Sequence, residues 1–96
     1  MPTYIVLGNF TEQGIRNIKD TGKRAEAVRE LGKKLGVIVK EVYWTLGQYD
    51  IATIVDAPDD AAITAFGLST GALGNVRTQT LRAFSADEMR QILGRM

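Results

Sequence analysis

Trp44-Thr-Leu-Gly47-Gln48-Tyr49-Asp50-Ile-Ala-Thr-Ile-Val-Asp-Ala57 is the stretch whose reading decides the fold. Upstream of Gly47, the run Val37 to Leu46 is crowded with β-branched and aromatic side chains, which suit a pleated, half-buried surface. A second such run follows Asp50 and is ended by Pro58. Gly-Gln-Tyr-Asp between them has the length and chemistry of a tight turn. Gly47 can take positive φ, and Asp50 can bond nearby backbone. The stretch predicts a β-hairpin, with helices on either side as its packing layer.

Upstream, Thr3 to Phe10 reads as a strand with apolar residues on both faces, the signature of a strand covered on both sides. Thr11 can cap a short turn through Ile15 and Ile18, which Gly14 weakens. Asp20 or Thr21 then opens a longer helix with Ala25, Val28, Leu31 and Leu35 at helical spacing. Its other face is charged, with pairs such as Glu30 and Lys34. Gly36 stands where a helix C-cap belongs.

Downstream, Pro58-Asp59-Asp60 restarts a helix with proline and acids in its first turn. Ala61, Ala62, Ala65, Gly67, Ser69, Gly71 and Ala72 make this helix rich in small residues, and the glycines from Gly67 to Gly74 are expected to fray its end. Small residues there fit either close packing on the sheet or room for a ligand. Asn75 to Phe84 is the last strand, and Ser85-Ala-Asp-Glu88 has capping-box spacing. The helix that follows aligns Met89, Ile92, Leu93 and Met96 on one stripe.

The element order is β-α-β-β-α-β plus a terminal helix. With right-handed crossovers it folds as an α+β, ferredoxin-like antiparallel sheet of spatial order 4-1-3-2. The ends of strand one and of the hairpin then meet the start of strand four at one end of the sheet. That end collects Asn9, Trp44, Tyr49, Asp50, Asn75, Arg77 and Thr78, while the opposite end, around Thr3, Val37, Ala57 and Phe84, offers little polar chemistry. Helices cover only one face of such a sheet, yet strands one and three are apolar on both: Tyr4, Val6 and Phe10 alternate with Ile5 and Leu7, and Ala52 and Ile54 with Ile51 and Val55. A second copy of the chain, paired sheet to sheet as a dimeric α+β barrel, is the expected cover.

With 45% hydrophobic residues, the 96-residue chain supports one domain, residues 1–96, and no second core. Twelve basic against eleven acidic residues give no basic face, so neither nucleic acid nor a membrane surface is expected as a partner. The chain has no Cys and no His, which removes thiolate and imidazole metal ligands and the usual general base near neutral pH. No metal and no cofactor is expected. The N-terminus lacks the pattern of a signal peptide or membrane span, so a cytoplasmic location is the default expectation.

Three segments together resemble the GYD-domain family. They are Pro2 to Ile15, Trp44 to Asp50 followed by Ala57-Pro-Asp59, and Gly74 to Phe84. The namesake Gly-x-Tyr-Asp is matched by Gly47, Tyr49 and Asp50, with Gln48 as the variable position. The resemblance covers nearly the whole chain and implies a small bacterial or archaeal protein of the dimeric α+β barrel group. That group includes haem-degrading and quinol-forming monooxygenases, muconolactone isomerases, amino-acid-sensing domains and stress-response proteins. The resemblance implies no catalytic residue set, and the His ligand common in haem-handling relatives has no counterpart here.

The residues support three functional readings. The first is a small-molecule-binding or sensing module, an oligomeric barrel holding its ligand at the Tyr49-Asp50/Arg77 end, with Asn9, Trp44 and Asn75 around it. The second is a cofactor-independent monooxygenase- or isomerase-like enzyme using Asp50 or Tyr49 as its acid or base. The third is a purely structural interaction dimer. Each residue also has a plainer role: Asp50 can satisfy turn amides, Asn9 and Asn75 can form turns, and Trp44 can fill a core or an interface. Absence of His, Cys and any catalytic triad ranks binding ahead of catalysis.

Overall fold

The computed structural model describes all 96 residues. Strands β1 (Thr3–Phe10), β2 (Ile38–Trp44), β3 (Ile51–Asp56) and β4 (Val76–Ala83) form one antiparallel sheet in the order β2-β3-β1-β4. This is the expected 4-1-3-2 arrangement read from the other edge. Helices α1 (Glu12–Arg16), α2 (Thr21–Lys34), α3 (Asp60–Ala72) and α4 (Ala86–Leu93) complete the fold, with a 3-10 turn at Ile18–Asp20.

Register sorts the strand residues between two faces. Tyr4, Val6, Val39 and Val55 face the helices and are buried with Val37, Ala57, Ile63 and Phe66 in the core. The opposite face carries rows that run straight across the sheet. One is Glu41-Ile54-Ile5-Leu81, and the next is Tyr43-Ala52-Leu7-Gln79. No element covers that face: Tyr43 is 53% exposed and Leu81 40%.

Several local expectations change. Two strands joined by a tight turn become two strands joined by a longer loop, Thr45 to Asp50. Thr45 N donates to Asp50 O (2.8 Å) and closes it. Gly47 takes φ +140° there. Asp20 precedes α2 but makes no side-chain cap. At the other end of the helix the expected Gly36 cap forms, left-handed, with Val37 N donating to Gly32 O (2.8 Å) and Gly36 N to Lys33 O (3.3 Å). Pro58 lies before the cap of α3, which is Asp59, whose carboxylate accepts from Ala62 N at 2.8 Å.

The glycines do not fray α3, which runs unbroken through Gly67 and Gly71. A Cβ added at either would meet nothing, so these small residues lie on the outer side, and Ile63, Phe66 and Thr70 form the packing face. Close packing is therefore not the reason for the two glycines, whereas Ala62 does pack against the core. Gly14 corrects the helix-weakening reading too. It is buried against the Asn75 carbonyl, where no side chain fits.

The Ser85–Glu88 capping box forms in full. Yet α4 leaves Met89, Ile92, Leu93 and Met96 exposed. The radius of gyration, 14.2 Å, exceeds the about 12.5 Å of a packed chain this long, in keeping with a helix that stands off the body.

Candidate functional site

Asp50 is set by the loop that precedes it. Its amide donates to Gly8 O (2.9 Å) and its Oδ2 accepts from Phe10 N (2.9 Å), so the carboxylate extends the bonding of β1 past the first residue of β3. One oxygen is thereby committed to the backbone; Oδ1 has no protein partner. Tyr49 is held by Thr45 Oγ1 donating to its carbonyl (2.5 Å). Its hydroxyl donates to Gln79 Oε1 (2.7 Å), which lays the ring across β1 towards β4 on the uncovered face.

Arg77 sits directly opposite Asn9 in the β1–β4 pair, two residues from Gln79 on the same face. Both are exposed, Arg77 joins none of the ion pairs, and neither side chain has a hydrogen-bond partner. An arginine so placed keeps all its donors for a carboxylate or phosphate.

Trp44 and Asn75 belong to the other face. They line a cavity of about 130 Å³ between the sheet and helices α2 and α3, together with Val6, Gly8, Phe66 and Thr70. Trp44 Nε1 donates to Thr21 Oγ1 (3.0 Å) and ties the end of β2 to the first residue of α2. Asn75 is bound into a backbone knot. Its carbonyl accepts from Thr11 N (3.0 Å) and its Oδ1 from Gln13 Nε2 (3.0 Å), while Thr11 Oγ1 donates to Gly74 O (2.6 Å). Arg24 supports the same end by donating to Asn17 O (2.7 Å) and Gly14 O (3.1 Å) beneath the Phe10 ring.

The six candidate residues thus share one end of the sheet but not one site. Asn9, Tyr49 and Arg77 face the open side, Trp44 and Asn75 the cavity, and Asp50 ties β1 between them. Sequence reasoning missed Gln79, which strict alternation from Arg77 would have placed on the same face. It also missed Gly8 and Thr70. The Ile63-Phe66-Thr70 spacing marks one helix face and was the available signal for the latter.

The opposite end holds more polar chemistry than expected, all of it spent internally. Tyr4 Oη donates to Asp60 Oδ1 (2.6 Å), and that bond to the carboxylate, with burial, raises the phenol above its ordinary value. The Arg82 guanidinium lies 5.6 Å from the Tyr4 ring centre, 4.5 Å from that of Phe84 and 3.7 Å from Glu88 Oε2. Glu88 is held below the usual carboxylate range chiefly by the Ser85 amide, with Arg82 adding to it. No three carboxylates converge anywhere in the chain, and no helix is long and apolar enough to cross a membrane.

The GYD domain model matches residues 4–93. A Thermus thermophilus protein named glutamine synthetase and cystathionine beta-lyase binding protein is 34% identical over 90 residues, covering 93% of this chain and 95% of its own. A crystal structure of a protein from Thermus thermophilus superposes with a TM-score of 0.59 at 31% identity, over 90% of this chain and 96% of that one. A feast or famine regulatory protein of M. tuberculosis, complexed with L-methionine, superposes with a TM-score of 0.68 at 16% identity. It is matched over 90% of this chain, which spans 52% of the regulator's length, and the likeness is one of fold.

Proposed function

Because this chain belongs to the GYD-domain family, we propose that residues 1–96 act as one domain, an oligomeric small-molecule-binding or sensing module whose ligand sits at the Tyr49-Asp50/Arg77 end. The observation that carries the proposal is the pairing of an uncommitted Arg77 with Asn9 at the rim of an uncovered apolar sheet face. A second copy laid on that face buries the Ile54-Ile5-Leu81 row and turns the rim into a partly enclosed pocket. Desolvation there strengthens the charge-assisted bonds that Arg77 makes to an anion. Asp50 Oδ1 and the Tyr49 ring supply an acceptor and an apolar wall. A carboxylate-bearing ligand with a donor group fits this set, and the methionine-bound regulator of the same fold makes L-amino acids the first probes.

The relative's name favours a second reading, an interaction protein that docks on an enzyme, because the likeness to it runs along nearly the whole chain. Native mass spectrometry of gently purified protein, followed by calorimetric titration with the L-amino acids, separates the two. The sensing reading expects a dimer or higher multiple with retained mass. It also expects Arg77→Ala to keep the oligomer while weakening the ligand about 10- to 100-fold, the worth of a charged hydrogen bond. Ligand-free multiples that bind purified glutamine synthetase support the interaction reading. A bare monomer sinks the barrel.

A further inference from the structure

The cavity on the helix side of the sheet carries a separate inference, independent of the open-face site. Its floor is the row Ile51-Gly8-Thr78, its walls come from α2 and α3, and Trp44 stands at its end beside Thr21. Gly8 is the informative residue. It sits in mid-strand, where glycine weakens a sheet, and its φ is not left-handed. A Cβ there would meet nothing nearer than 3.7 Å, at the Arg77 carbonyl, so neither backbone conformation nor crowding calls for glycine. What the missing side chain does is leave the floor open.

Thr70 supplies the second observation. It lines the same cavity from α3, only 8% exposed, and its Oγ1 is the single buried side-chain polar atom in the chain without a hydrogen-bond partner. Such an orphan is costly unless something answers it. The remaining walls are largely aliphatic and aromatic: Val6, Val28, Val39 and Phe66 among them. Arg24, the one charged residue in the lining, already donates to two carbonyls.

We propose that this cavity is a binding site for a small, neutral, mostly apolar molecule carrying one hydroxyl or carbonyl group, seated over Gly8 and hydrogen-bonded to Thr70. Size sets the class. A cavity of roughly 150 Å³ accepts benzene, and this one is about 130 Å³ and not fully closed, so a single ring or a short branched chain fills it. Neutrality follows from the lining, which has no carboxylate for a cation and one guanidinium already turned to the Asn17 and Gly14 carbonyls. The polar group follows from Thr70, whose hydroxyl can donate or accept.

Phenol and toluene are the probes, being nearly equal in shape and differing by the hydroxyl. Trp44 is the only tryptophan, so its indole N–H resonance reports the cavity without ambiguity. Calorimetry and that resonance should show phenol binding once per chain. Thr70→Val should weaken phenol about tenfold while leaving toluene unchanged, and Gly8→Val should abolish both. Gly8→Ala is the milder companion if the valine variant does not fold; it should weaken both probes, since its methyl enters the site. Three results would overturn the proposal. They are an unmoved indole signal at millimolar phenol, Thr70→Val binding phenol as tightly as the native chain, and Gly8→Ala binding both probes unweakened. The first of these would leave the cavity to ordered water.

Discussion

Gly14→Ala is the substitution whose sign discriminates between two physical accounts. Intrinsic helix preference favours alanine inside α1 by about 0.5–1 kcal/mol. The structure opposes it, because a Cβ at Gly14 falls well inside contact distance of the Asn75 carbonyl oxygen, and backbone cannot rotate away as a side chain can. Relief requires α1 and the start of β4 to part. That strains the Thr11 N to Asn75 O and Thr11 Oγ1 to Gly74 O bonds, each worth about 1 kcal/mol. Overpacking costs typically about 1–3 kcal/mol. After subtracting the propensity gain, the net loss is about 2 kcal/mol, or a melting temperature lower by about 8–16 °C for a domain of this size. Urea unfolding followed by circular dichroism measures it. Gly67→Ala is the control: its Cβ meets open space, so α3 should gain about 0.5–1 kcal/mol. A Gly14→Ala variant as stable as the native protein would refute the close-approach argument.

Three further outcomes follow from other parts of the molecule. Glu88 titrates below its ordinary 4.5 in the folded chain, so its contribution to α4 is present above that value and lost as pH falls through the folded one. Helical signal should decline in acid, and Glu88→Gln, which can keep the capping box, should remove that dependence. Tyr4 is raised above 10.0 by its bond to Asp60; its contribution is fully present below that ordinary value and is lost as pH rises through the folded one. Tyr4→Phe should lower stability at neutral pH and abolish the alkaline loss, with tyrosinate absorbance showing one late-titrating phenol disappear. If the native chain pairs sheet to sheet as proposed, Ile54→Lys, in the middle of the uncovered apolar row, should give a folded monomer in sedimentation velocity, and an unchanged assembly would remove the case for that pairing.

Periodicity made the fold legible. Alternation in Thr3–Phe10 and Ile51–Asp56, helical spacing of Val28, Leu31 and Leu35, and right-handed crossovers led to the correct strand order. What escaped was decided by contacts between distant segments. Gly14 looks like a helix weakener until Asn75 is laid against it. Gly67 and Gly71 look like sheet-packing residues until the helix is rotated so that Phe66 and Thr70 face inward. The candidate site was half legible. Topology brought the named residues to one end, and odd spacing separated Trp44 from Tyr43, but which of the six share a face depends on register in the β1–β4 pair. The long loop from Thr45 to Asp50 then swings Tyr49 over the open side, which no turn propensity encodes.

The sheet order has a consequence for how the protein is made. β1 leaves the ribosome first, yet it lies between β3 and β4, and its second neighbour is the last strand synthesised. Until Val76–Ala83 emerges, one whole edge of Thr3–Phe10 is unpaired while its apolar side chains are already in water. The nascent chain therefore carries β1 with one edge open until β4 has been made, and a chain stalled within α3 would present that edge permanently to its neighbours. Completion of the sheet waits for Val76–Ala83, the last of the four strands to be made.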